Sequence, residues 1–345
     1  MKSLDFGRYA LCNCAAAALL AACGGSQPPI AAPGSLDKIT QNRSVGLLYP
    51  SGMGLAQKAS ANPQYKAASP LMFVVNFITS SGLGNVVVYD PKTNDPKPLA
   101  AITTGIDEPN GDCVDASGTL YVGNDPGSSG WISEYAADKT KPFKTITDGL
   151  DGPALCTTDG QGNLWVTNNG GAANVTEYLK GSTKPHTTIT KGLIYPIGIA
   201  IDHGGNLYVG NHVLYGTTNV QVYPPGKKSP IRTITDGVVW PTGIAVDAKG
   251  TLYVANGASP CDVEEYRPGQ DHPFRAITDQ IAGPTGLSFG KNGWLYVTNS
   301  GIQGCSGPSP VILEFRPSSI KPSGKMISKD LHAPIGNAYF PPLPP

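Results

Sequence analysis

From about residue 70 to residue 340, apolar and polar positions alternate in short runs, the period-2 pattern of half-buried strands. One run occurs five times with little change: Gly118-Thr119-Leu120-Tyr121-Val122, Gly162-Asn163-Leu164-Trp165-Val166, Gly205-Asn206-Leu207-Tyr208-Val209, Gly250-Thr251-Leu252-Tyr253-Val254 and Gly293-Trp294-Leu295-Tyr296-Val297. Its leucines are 43 to 45 residues apart, a period that in a strand-rich chain means a propeller or a solenoid. The clearest unit predicts a first strand over Pro241–Asp247 and a second over Thr251–Asn256. A third follows over Val263–Tyr266 and a fourth over Arg275–Thr278. Four antiparallel strands joined by short turns make one propeller blade.

The turn Asp247-x-x-Gly250 recurs as Asp115-x-x-Gly118, Asp159-x-x-Gly162 and Asp202-x-x-Gly205. Asp can accept hydrogen bonds from the turn backbone and Gly can take positive φ. No copy has enough oxygen donors for an EF-hand calcium loop, so the repeated Asp is predicted to be structural.

The two ends set the blade count. Met72–Asn76, Asn85–Tyr89 and Leu99–Thr103 make a unit without a first strand, while Pro334–Tyr339 is a first strand with no unit after it. The prediction is an all-β, six-bladed β-propeller of four-stranded antiparallel blades over residues 70–345. The carboxyl-terminal strand completes blade one and so removes exposed sheet edges.

Composition agrees with many short strands and tight turns: 43 Gly and 32 Pro in 345 residues, with 14% charged. The 25 basic and 25 acidic residues cancel, and no basic cluster supports nucleic-acid binding. Residues 1–22 read as an export signal, with Lys2 and Arg8 before an apolar run, Ala10–Ala22, too short to span a bilayer. The run ends in Leu20-Ala21-Ala22-Cys23, which resembles a bacterial lipobox. That resemblance implies cleavage before Cys23, acyl chains such as palmitate on that residue, and attachment to a membrane. Gly24 in place of Asp resembles lipoproteins sent to the outer membrane of the cell envelope. Residues 23–69, rich in Ala, Pro, Ser, Gln and Asn, are expected to be a flexible tether.

The phrase Pro-x-Gly-Ile-Ala-Val-Asp-x-x-Gly-x-Leu-Tyr-Val-x-Asn resembles the NHL-repeat and gluconolactonase-like six-bladed propellers, and more distantly the seven-bladed streptogramin lyases. It specifies a fold; such propellers include binding proteins, lactonases and lyases alike.

Cys12 and Cys14 lie within the predicted signal, which leaves Cys113, Cys156, Cys261 and Cys305 besides Cys23. Four cysteines allow three pairings. Cys113 takes the place of Ala245 and Cys156 that of Ile244, on first strands of adjacent blades and offset by one residue. Alternate strand positions face opposite sides, so each can point at the other. Cys261 and Cys305 both fall between second and third strands. Cys113–Cys156 and Cys261–Cys305 are the expected disulfides, and no C-x-x-C or histidine set suggests zinc.

Gly286-Leu287-Ser288-Phe289-Gly290 matches the nucleophile elbow G-x-S-x-G, but that motif needs a strand-to-helix turn. Here it lies within a first strand, with Ser288 at the Ala245 position. Every second strand ends in Asn (Asn76, Asn124, Asn168, Asn211, Asn256, Asn299), a recurrence that points to structure. The residue after each Asn varies (Phe77, Asp125, Asn169, His212, Gly257, Ser300). So does the residue before each first-strand Pro (Glu108, Gly152, Tyr195, Trp240, Gly283, Ala333). Both sets are predicted on one face. There Glu108, Asp125, Asn169, Tyr195, His212 and Trp240 would suit a small polar ligand or sugar, or an envelope protein partner, without a cofactor. The alternative is a metal-dependent lactonase- or lyase-like enzyme, with Ca2+ or Mg2+ near Glu108 and Asp125 and His212 as base.

Overall fold

The computed structural model describes residues 70–77, 84–127, 130–213, 217–301 and 305–343. The predicted signal, Cys23 and the tether lie outside the described residues. Those described form six four-stranded antiparallel sheets and no helix. Blade one holds β1 (Leu71–Asn76), β2 (Asn85–Tyr89) and β3 (Ala100–Ile102), and blade two β4 (Pro109–Val114), β5 (Leu120–Asn124), β6 (Trp131–Tyr135) and β7 (Lys144–Ile146). Blade three holds β8 (Pro153–Thr158), β9 (Leu164–Asn168), β10 (Asn174–Tyr178) and β11 (Thr187–Ile189). Blade four follows with β12 (Pro196–Ile201), β13 (Leu207–Asn211), β14 (Asn219–Tyr223) and β15 (Arg232–Ile234). Blade five has β16 (Pro241–Val246), β17 (Leu252–Asn256), β18 (Val263–Tyr266) and β19 (Pro273–Ile277). Blade six has β20 (Pro284–Phe289), β21 (Leu295–Asn299), β22 (Val311–Phe315) and β23 (Pro322–Ile327). The last strand, β24 (Pro334–Phe340), returns to pair with β1, with Asn337 opposite Val74. The ring closes as the unmatched ends predict.

The repeated residues hold the blades. Each turn Asp folds back on its own backbone: Asp247 Oδ1 accepts from Lys249 N at 2.8 Å and Thr251 N at 2.9 Å, and Gly250 has φ +81°. Each second-strand Asn is fully buried and clamps the connection into its own blade. Asn211 accepts from Ile194 N at 3.2 Å and donates to Gly192 O at 2.8 Å; Asn256 does the same with Val239 N and Gly237 O. In blade six Asn299 donates to Gln280 O, but its Oδ1 has no partner among the described residues.

A second series ties blade to blade. Tyr89, Tyr135, Tyr178, Tyr223 and Tyr266 end the third strands and are fully buried. Each hydroxyl donates to a carbonyl in the connection from the preceding blade, as Tyr135 to Thr104 O at 2.8 Å and Tyr223 to Lys191 O at 2.8 Å. Tyr89 reaches Lys329 O and so fastens blade one to the connection that leads into β24. In blade six Phe315 stands at this place and makes no such bond. Cys113–Cys156 joins blades two and three, and Cys261–Cys305 joins blades five and six, with Cα atoms 5.5 Å and 6.0 Å apart. Both pairs are the ones that the repeat register selects.

Candidate functional site

The innermost strands β4, β8, β12, β16, β20 and β24 neighbour one another around the ring. Where they begin and the second strands end, backbone bonds fix the two variable positions of each blade together. Asp125 N donates to Glu108 O at 3.1 Å, Asn169 N to Gly152 O at 2.9 Å, and His212 N to Tyr195 O at 2.9 Å. Gly257 N donates to Trp240 O at 3.0 Å. The residue after each clamp Asn thus lies beside the residue before each first-strand Pro, on one end of the ring.

The six candidate residues come from blades two to five. Three are aromatic and adjoin. The His212 ring stacks on Trp240, centroids 4.2 Å apart and planes 20° apart, and meets Tyr195 edge-on at 5.7 Å. His212 is buried, and this desolvation lowers its imidazole from 6.5 to about 4, so it is neutral near pH 7. Trp240 Nε1 is buried with no hydrogen-bond partner among the described residues, a donor still to be satisfied. Trp240 also has φ +56°, at a position where blades three and six use Gly152 and Gly283. Glu108 and Ala333 have positive φ at the same place, so the conformation belongs to the turn that leads into most of the first strands.

The polar candidates stand in adjacent blades. Glu108 is exposed, also at positive φ (+44°). Asp125 is buried, and its carboxylate accepts from Gly127 N at 3.2 Å and Asn110 Nδ2 at 3.5 Å. Asn110 Nδ2 also reaches Pro153 O, which links blades two and three under the site. Asn169 Oδ1 is buried without a partner among the described residues. Sequence reasoning did not single out Asn110. Its signal was available, because Thr242 and Thr285 at the same repeat position make the equivalent bonds to Pro284 O and Pro334 O.

Ser288 lies within strand β20 and no helix follows it, so the nucleophile-elbow context is absent. Among the described residues, no group of three or more His, Cys, Asp or Glu could hold a metal ion.

No protein-family model matches the chain, and no curated protein matches it. Solved structures do. A chain in the crystal structure of a nidogen/laminin complex superposes with TM-score 0.61 at 17% identity, over 78% of this chain and 97% of that one. A putative 6-phosphogluconolactonase from Bacteroides fragilis superposes with TM-score 0.54 at 15% identity, over 82% of this chain and 99% of that one. At such identity the likeness is one of fold.

Proposed function

We propose that this is an exported, lipid-anchored propeller that binds a small polar ligand, or an envelope protein's polar side chain, at the strand-end mouth without catalysing a reaction. The observation that carries this reading is the Tyr195–His212–Trp240 aromatic shelf with its unpartnered indole N–H. An aromatic face beside a lone donor suits a sugar or similar ring, whose C–H face stacks while a hydroxyl accepts. Glu108, Asp125 and Asn169 would add polar contacts from the neighbouring blades. An imidazole near 4 is a weak base at neutral pH, since proton transfer works best from a group whose pKa is near the working pH. That favours binding over catalysis by His212. The Cys23 anchor at the outer membrane and the tether would hold the ring near the bilayer, and two disulfides suit an oxidising compartment.

A second reading is the metal-dependent lactonase. Its support is the fold shared with the putative 6-phosphogluconolactonase, together with Glu108, Asp125 and the unpartnered Asn169 Oδ1 on one end of the ring, as oxygen donors for Ca2+ or Mg2+.

Thermal-shift screening against sugars, lactones and divalent ions separates the two. A ligand at about 100 times its Kd stabilises by about 2.7 kcal/mol. A sugar-induced shift that Trp240→Gly abolishes supports binding. A shift with Ca2+ or Mg2+ that Asp125→Ala abolishes, with lactone turnover, supports the enzyme. Trp240→Gly with undiminished sugar shifts would remove the shelf from the site.

A further inference from the structure

In blade five Arg275 on the fourth strand stands opposite Glu265 on the third, Nε donating to Oε1 at 2.8 Å and Nη2 to Oε2 at 2.5 Å. Its remaining nitrogen, Nη1, donates to Ser318 O at 2.8 Å, in the loop between the third and fourth strands of blade six. Blade two repeats the device: Lys144 pairs with Glu134 at 3.5 Å and donates to Gly181 O at 3.0 Å, in the same loop of blade three. One basic side chain thus answers a buried carboxylate and staples its blade to the next.

Blade three keeps the carboxylate and lacks its partners. Glu177 stands opposite Thr187, which has no charge and is too short to reach the next loop. In blade six Glu314 accepts instead from the Tyr296 hydroxyl of the second strand, at 3.0 Å. Blade three has Trp165 at that place, and its indole N–H goes to Asp159 Oδ2 at 3.4 Å. Among the described residues the Glu177 carboxylate therefore has no hydrogen-bond or ionic partner, and it is only half-buried where Glu134 and Glu265 are buried.

Where the staple is missing, a half-open cleft of about 540 Å³ lies between blades three and four, within the range of small-molecule sites, about 300–1,000 Å³. Trp165, Ile189, Ile201 and Leu207 give it apolar walls, and Glu177 is part of its lining. Three carboxylates line it, Asp159, Glu177 and Asp202, against one lysine, Lys227, a balance that favours a cation. Gly226 lines it too, three residues after Tyr223, as Gly181 follows Tyr178 and Ser318 follows Phe315.

The geometry points to a binding site in this cleft for a small compound that bears a guanidinium group. The guanidinium takes on Glu177 the place that Arg275 takes on Glu265, with two parallel N–H bonds to one carboxylate. A further N–H donates to Gly226 O, as Arg275 does to Ser318 O. Trp165, where blades two, four, five and six have Tyr, offers the ring that attracts a planar cation most strongly. The apolar walls cover the rest of the compound. The cleft shares no residue with the Tyr195–His212–Trp240 shelf and does not depend on it.

Calorimetry on the full chain tests this with phenylguanidine as the probe and phenylurea as its neutral match. The wild type should bind phenylguanidine, and phenylurea much more weakly or not at all. Glu177→Gln should weaken the guanidine about tenfold to a hundredfold, the effect of losing charge-assisted hydrogen bonds. Thr187→Arg restores the pair of blade five within the chain, so it should abolish binding without lowering the melting temperature, which separates a filled site from a lost fold. Equal binding of the two compounds, undiminished affinity in either variant, or no binding of phenylguanidine by the wild type would each overturn the assignment.

Discussion

Asn211 shows how much one repeated side chain can hold. Its fully buried amide accepts from Ile194 N and donates to Gly192 O and to Asn219 Oδ1. Asn211→Ala should therefore cost about 2–3 kcal/mol in urea unfolding, because it removes three hydrogen bonds of a fully buried side chain. Tyr223→Phe removes one bond, to Lys191 O, and should cost about 1 kcal/mol. Blade six already tolerates Phe315 at that place, so an equal loss for both variants would contradict the distinction. His212 gives a pH signature. Its folded imidazole titrates near 4 and its unfolded one near 6.5, so the unfolded chain binds more protons between these values. This part of the stability is present above 6.5 and is lost as pH falls to about 4. Melting curves over that range should show the step, and His212→Phe should flatten it. At this scale the repeat made the clamp Asn and the turn Asp legible, because six or four copies of one residue mark a shared backbone need. It left Asp112 unremarked, although the same alignment that placed Cys113 and Cys156 sets Asp112 against Ile244. Asp112 and Asn337 are the two polar residues at a position that is Cys, Ile or Leu in the other four blades, and that disagreement was the signal.

Strands and crosslinks depend on one another through closure. β1 is buried along its whole length and pairs on one side only with β24, which lies more than 250 residues away in sequence. A chain ending at Ala333 would leave β1 as an open apolar edge, and such edges aggregate. That truncation should lose cooperative melting, whereas ending at Phe340 should keep it. The Cys113–Cys156 bond spans 43 residues, and loop-closure entropy gives a crosslink of that size about 4 kcal/mol. Replacing both cysteines by Ser should lower the melting temperature of the folded ring, measured beside the wild type under non-reducing conditions. The pairing was readable from sequence because strand alternation and blade register leave one geometry. The inter-blade Tyr bonds were not, because a donor's partner across a blade gap is set by packing rather than by local pattern.

For the whole molecule, the ring has two ends with different chemistry. One has the aromatic shelf with Trp240; the other has a half-open cavity lined by apolar strand residues together with Asp115, Asp159, Lys180 and Lys291. If the anchor is at Cys23, Cys23→Ser should move the protein from the membrane to the soluble fraction, and a variant that still pellets with membranes would exclude it. The sequence by itself determined the blade, the count of six, the closing strand and both disulfides, because a repeat states its register every 43 to 45 residues. The tertiary structure decided which variable residues adjoin. Tyr195, His212 and Trp240 adjoin, while Glu108 and Asp125 stand in blade two and Asn169 in blade three. It also decided that Asp112 is shut away in the gap between blades. Those facts depend on how blades pack around an axis, and no period along the chain encodes the distance between side chains of neighbouring blades.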